Sequence, residues 1–301
     1  MPVRLLLNPP PPESSTRRRC PMKNPAFILL SLLVILSLAC SITVNIPTAK
    51  VGEKQTVTIQ EDYPDLRPAE LVLRMGGGKL TLQGGSQHLV EGTVEYNVTD
   101  WKPTISRDGR EVRIDQKVVG SIPSGGNVIN DWDLRLGNQP LDLTIEAGAY
   151  EGKLDLTGIP LVRLKISDGA GQADLVFSSP NPVRMDSLTY ETGASNIKLK
   201  GLGNTDADVI NFRGGAGNFS LDFSGQLKRD MRVYVDGGLG NITLRVPRTS
   251  NCRIILSSSL NTISTEGTWI VNDNEYRTTG EGPLLRIEVK VGVGNLNLIS
   301  E

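Results

Sequence analysis

Few side chains in this chain are of a type and spacing that could do chemistry. There is one histidine, His88, and there are three cysteines, Cys20, Cys40 and Cys252. A single imidazole excludes two-histidine metal sites and leaves no base for a histidine-dependent triad elsewhere. Three cysteines with no CxxC pair make neither a disulfide framework nor a zinc site. Carboxylates are more plentiful: Asp131 and Asp133 flank Trp132, and Asp206 and Asp208 share a loop. Two carboxylates converging on one sugar ring could hydrolyse a glycosidic bond, and Trp101, Trp132 and Trp269 could stack on sugars. Alternating patterning places most of these acids on solvent faces, however, and the tryptophans suit a core corner or the end of a stack. Gly237-Gly238-Leu239-Gly240-Asn241 fails as a calcium turn, which repeats every nine residues or so and carries Asp after its glycines. It fails as a dinucleotide loop because no helix follows. No catalytic, metal-binding or cofactor-binding residue is therefore assigned, and no cofactor is expected.

Cys40 is different, because its chemistry lies in processing. Residues 26–38 form an uncharged apolar run of 13 residues. That is short of the roughly 20 residues a bilayer span needs, and suits a signal-peptide h-region. Lys23 supplies the positive n-region, with Arg17, Arg18 and Arg19 upstream. The run ends Leu36-Ser37-Leu38-Ala39-Cys40, which resembles a bacterial lipobox. Cys40 is then expected to carry a diacylglycerol thioether and to become the first mature residue. Each buried acyl CH₂ contributes about 0.8 kcal/mol, and stable anchoring takes about two chains, as that lipid provides. Met22-Lys23-Asn24-Pro25 opens a compact signal peptide, so Met22 is the expected start.

The elements that follow are strands. Gly is abundant at 32 residues and aromatics are scarce at 5%, which suits short strands joined by tight turns. A pattern Gly-x-Gly-(Asn/Lys)-apolar-x-Leu begins at Gly76, Gly215, Gly238 and Gly292, with weaker copies at Gly148, Gly169, Gly193 and Ser259. From Gly148 to Ser259 the spacings are 21, 24, 22, 23 and 21 residues. A period near 22 with strand-like units predicts stacked coils. Runs such as Leu141-Asp142-Leu143-Thr144-Ile145-Glu146 alternate with period two, so one face is core and the other solvent. Turn glycines are expected at Gly76, Gly78, Gly148, Gly169, Gly171, Gly193, Gly215, Gly217, Gly238, Gly240, Gly292 and Gly294, where the coil must bend and a Cβ obstructs close stacking. Asn218, Asn241 and Asn295 follow the second glycine and can form ladders between coils. The fold class is all-β: a single-chain β-solenoid with rungs of about 22 residues, preceded by a small β-rich N-terminal module. The expected domains are 1–39 (extension and signal peptide), 40–135 (β-rich module) and 136–301 (solenoid).

Gly240-Asn241-Ile242-Thr243-Leu244-Arg245-Val246-Pro247, followed by Asn251-Cys252-Arg253-Ile254, resembles the toast-rack proteins and the C-terminal domain of LiaF-like (DUF2154-like) envelope-stress proteins. The closing Leu285-Arg286-Ile287-Glu288-Val289-Lys290-Val291-Gly292-Val293-Gly294 is similar to that family's last strand pair, and residues 41 to about 135 resemble its N-terminal module. The resemblance implies a bacterial envelope β-solenoid with no catalytic residues to carry over. LiaF-like proteins bear transmembrane helices upstream; here a lipid stands in their place.

The net charge is −1, which gives no basic patch for nucleic acid. Together these features lead to the expectation of a non-enzymatic lipoprotein of the cell envelope, anchored by lipid and facing outside the cytoplasm. Its solenoid would bind a protein or an envelope polymer, in adhesin-like or structural fashion. A regulatory sensor subunit of an envelope-stress response is the alternative, and a polysaccharide-acting enzyme a third. Cys252 is expected to be a small buried hydrophobe and His88 an exposed loop residue.

Overall fold

The structure is a computed structural model, in which residues 48–116, 122–124, 127–257 and 262–301 are described. Cys40, the signal segment, Met22, Cys20 and the weak repeat at Ser259 lie outside the described residues. Residues 46–301 form one compact unit. Its described elements are strands, apart from two short 3₁₀ turns at Thr99–Trp101 and Leu202–Thr205.

Seven long strands carry the architecture: β2 (Ala69–Gly84), β8 (Leu141–Asp155), β9 (Leu161–Val176), β10 (Met185–Lys200), β11 (Ala207–Asp222), β12 (Met231–Val246) and β17 (Leu284–Ser300). They pair in parallel and in register in that order. Each is one rung, bent into two arms at a Gly-x-Gly or, in β8 and β10, at Gly148-Ala149-Tyr150 and Gly193-Ala194-Ser195; from β8 to β12 a short return loop leads from each to the next. The bend changes the phase of the strand. In β11 the inward residues are Ile210, Phe212 and Gly214 before the bend, then Phe219 and Leu221 after it. Even positions give way to odd ones, and the same flip recurs in the other six strands. A strand of unbroken alternation would turn its second arm's apolar residues to solvent. The extra residue at the corner, as in a β-bulge, keeps both arms facing one interior.

That interior is built from columns. Leu71, Leu143, Leu164, Leu188, Ile210, Val233 and Ile287 stack rung on rung in the first arm, each at most 1% exposed. Leu82, Leu154, Leu175, Leu199, Leu221, Leu244 and Leu298 do the same in the second. Burying one such side chain contributes about 1.5–3 kcal/mol. Volume is balanced within rungs: the Phe219 ring fills the space beside Gly214, and Ile242 that beside Gly237.

The two ends depart from simple succession. At one end β5 (Glu111–Asp115) pairs with the first arm of β2 and β7 (Asn130–Leu136) with its second arm. These two strands make a split rung outside β2. It is covered by β4 (Thr104–Asp108) against β5 and β3 (Val90–Val98) against β7, and β3 in turn is paired by β1 (Thr48–Glu61). A short strand β6 (Ile122–Ser124) also pairs with β1. At the other end β13 (Asn251–Leu256) and β14 (Thr262–Glu266) pair with the two arms of β17. The hairpin of β15 (Ile270–Asn272) and β16 (Glu275–Arg277) lies on β13. The C-terminal strand β17 thus sits between β12 and a split rung that precedes it in sequence. Pairing of successive coils, as the repeat spacing predicts, holds from β8 to β12 and is rearranged at both ends.

Candidate functional site

The glycines form two columns at the bend. Gly76, Gly148, Gly169, Gly193, Gly215, Gly238 and Gly292 make the first. A Cβ on any of the last six would meet the carbonyl oxygen of the preceding glycine in the column at 2.9 Å or less. Gly78, Gly171, Gly217, Gly240 and Gly294 make the second, all with positive φ; Gly217 has φ +144°, a conformation that a side chain disfavours. Tyr150 and Ser195 replace glycine in this second column. Both turn inward, with 4% and 5% exposure.

These two residues belong to a buried polar network that the patterning did not reveal. The hydroxyls of Thr192 and Ser195 both donate to Asp168 Oδ1, the second at 3.0 Å. The Tyr150 and Tyr190 hydroxyls lie 3.0 Å apart beside it. Burial pushes both phenols above their ordinary range, and the Asp168 charge adds to the effect. Every member is buried, with Asp168 Oδ2 left without a hydrogen-bond partner among the described residues, and the Tyr150 end borders a trough also lined by Lys79 and Glu151.

The other sequence candidates are mostly spent on structure. Trp132 is 1% exposed, and its Nε1 donates to Asn130 Oδ1 at 3.0 Å. Trp101 and Trp269 pack against the core. Asp131 and Asp133 point outward on β7, in register with Lys79 and Thr81. Asp206 is buried and bound by Arg229 at 2.7 and 3.0 Å. Asp208 pairs with Arg184, whose guanidinium holds its carboxyl below the usual range. His88 is half-buried and paired with Asp62, not free in its loop. Asn97 is buried, giving its amide to Asn127 O and accepting from Ile129 N. Cys252 is a buried free thiol whose pKa burial pushes up to about 12. Among the described residues no cluster of His, Cys, Asp or Glu could hold a metal ion, and no helix is long and apolar enough to cross a membrane.

The outward faces of the rungs are where side chains are left for a partner, and the two arms differ. On the first arm, in-register neighbours form a charge ladder. Arg74 lies between Asp115 at 3.6 Å and Glu146 at 2.6 Å, and Arg213 meets Glu191 at 2.7 Å. Arg213, Asp236 and Lys290 continue the row. On the second arms of β10, β11, β12 and β17, the row after the bend is a ladder of amides; on β2 and β8 the same row holds Lys79 and Glu151. Asn218 Nδ2 donates to Asn196 Oδ1 at 2.8 Å, Asn241 to Asn218 at 2.9 Å, and Asn295 to Asn241 at 2.8 Å. One step along, Ser220, Thr243, Asn297 and Ser264 form a parallel row, linked by Asn297 Nδ2 to Thr243 Oγ1 at 3.4 Å and by Ser264 to Asn297. A shallow trough of about 360 Å³ runs over Asn196, Lys198, Asn218, Ser220, Asn241 and Thr243.

Residues 47–186 match the family model of the N-terminal domain of toast_rack, DUF2154. Over these residues the chain is similar to a toast-rack N-terminal domain. The toast-rack match runs past residue 135, through β8 and β9, so it takes in the Asp115–Arg74–Glu146 part of the charge ladder and the buried Asp168. Among solved structures, the chain is similar to a provisionally named cell adhesion protein of Clostridium sporogenes, with 21% identity, 83% of this chain and 99% of that one covered, and a TM-score of 0.45. It is also similar to provisionally named adhesins of Bacteroides fragilis and Parabacteroides merdae. Each has 8% identity and coverage of 83% and 99%, with TM-scores of 0.36 and 0.34. No curated protein matches.

Proposed function

We propose that this protein is a non-catalytic module of the cell envelope, tethered by a lipid on Cys40, that presents its regular outward faces to an envelope component. One observation carries the reading. The carboxylates that could have served catalysis at Asp206 and Asp208 are held in ion pairs, while the second arms expose an ordered array of hydrogen-bonding side chains with no structural partner beyond its own ladder. The lipobox-like Leu36-Ser37-Leu38-Ala39-Cys40 supports the tether, and two acyl chains suffice for stable membrane residence.

The test has two parts. Full-length protein in detergent should co-sediment with purified cell-wall fragments without releasing soluble sugar; release of reducing ends would instead make it an enzyme. In cells, Cys40→Ser should abolish incorporation of labelled fatty acid and move the protein out of the membrane fraction. Continued fatty-acid labelling of the variant would remove the lipid tether from the reading.

A further inference from the structure

We infer that the two rows of uncharged side chains on the second arms of β11, β12, β17 and β14 bind an extended, uncharged glycan lying along the stack, across the strands. The inference rests on the binding-module reading above and names the surface and the partner.

The first ground is charge. On β11, β12 and β17 the first arm exposes Arg213, Asp236 and Lys290. The same three strands, past the bend, expose Asn218, Asn241 and Asn295, then Ser220, Thr243 and Asn297. On these three strands the two rows next to the bend are uncharged; Asp222 and Arg245 follow beyond them, and Lys198 of β10 borders the same trough. A charged polymer would lose its hydration on these two rows without gaining a counter-charge within them, whereas hydroxyl groups exchange water for amides at little cost.

The second ground is unspent hydrogen-bonding capacity. An amide has two N–H donors and an oxygen with two lone pairs. Each central ladder asparagine uses one N–H and one lone pair on its neighbours. One donor and one acceptor per rung therefore remain for a ligand, already held in place, so little conformational freedom is lost on binding.

The third ground is period and polarity. Rungs stand about 4.8 Å apart, comparable with the rise of one pyranose unit in an extended glycan, so successive sugars meet equivalent amides. Beside the amide row, at the apex of the bend, Ala216, Leu239 and Val293 run in register, with Leu239 57% and Val293 53% exposed. A sugar presents hydroxyls at its edge and C–H groups on its face, and this strip offers a polar row beside an aliphatic one.

Affinity electrophoresis tests the inference. Full-length protein in a mild non-ionic detergent is run in native gels containing hydroxyethyl cellulose or galactomannan, both neutral, or alginate, which is anionic. Retardation by a neutral polymer and not by alginate is expected. Asn218→Leu with Asn241→Leu should weaken it about fivefold or more, the loss expected when a hydrogen bond or two is removed. Thr189→Leu with Asn211→Leu, on the outward face of the first arm, should leave it unchanged. Should the amide double variant melt early, Ser220→Ala with Thr243→Val gives the same readout with less disturbance to the ladder. Retardation by alginate alone, or retardation by a neutral polymer that neither second-arm variant weakens, overturns the inference. Co-sedimentation with wall fragments without retardation by either neutral polymer overturns the glycan assignment while the binding-module reading stands.

Discussion

The carbonyl oxygen of Ser195 occupies the place where a β-carbon on Gly217 would stand. Gly217 also has φ +144°, so a side chain there meets both a backbone clash and backbone strain. Gly217→Val should cost on the order of 1–2 kcal/mol or more. Gly85, with φ +110° and nothing within 4 Å of an added β-carbon, isolates the strain alone, so Gly85→Ala should cost less. Chemical denaturation of both variants measures the difference; equal costs would remove close stacking as the reason for glycine at this corner.

Ser195 has a second role, through its hydroxyl on Asp168. Asp168→Ala would leave the buried Ser195 hydroxyl without its acceptor, while Thr192 keeps Ser195 Oγ at 2.6 Å, and an unsatisfied buried polar group costs about 1–3 kcal/mol. Thr192→Val together with Ser195→Ala and Asp168→Leu removes donors and acceptor at once and should cost less than the sum of the single changes. Strict additivity in urea melts would mean that the three side chains do not act as a unit.

Stability should fall in base. Burial holds the Cys252 thiol protonated up to about pH 12, while an unfolded thiol ionises near its ordinary value of about 8.5. The contribution is complete below that value and is lost as pH rises toward the folded one. Tyr150 and Tyr190, also raised by burial, act in the same direction above about pH 10. Denaturation midpoints at pH 8, 9.5 and 11 should decline, and Cys252→Ala should flatten the first part of that decline. A flat profile to pH 11 would show that these groups are accessible to hydroxide in the native state.

Arg74 bridges two rungs through Asp115 and Glu146. All three side chains are roughly a third exposed, so the pairs are screened and Arg74→Met should cost about 1 kcal/mol or less. The cost should shrink as salt is raised. A loss that is large and independent of salt would point to packing of the aliphatic stem as the greater contribution.

Much of this architecture is visible in the chain itself, because its signals are local. The Gly-x-Gly period marks the bends, the alternation marks the inward columns, and the asparagines after the second glycine mark the ladder. What local periodicity cannot convey is pairing across long separations. Arg74 meets Glu146 over 72 positions and Asn295 meets Asn241 over 54, with other strands intervening. No spacing in the sequence distinguishes those neighbours from the next repeat. The Asp168 network is hidden for another reason: Asp168 falls in phase with the inward Leu164 and Ile166, but a carboxylate argues against burial, and only its hydroxyl neighbours on the adjacent rung make burial tolerable. His88 reads as a free loop residue because its partner, Asp62, lies on a different segment.

The position of β17 sets an order of assembly. Rungs β8 to β12 can each zip onto the one before as the chain emerges. The edge of β12 cannot be closed by β13 and β14, which come next, because in the finished molecule both rest on β17. Those two strands must wait, unpaired with the growing stack, until the final 17-residue strand slides between. Strand β17 therefore works as a keystone. A chain cut short just before it would keep two raw sheet margins at once, and such margins invite aggregation.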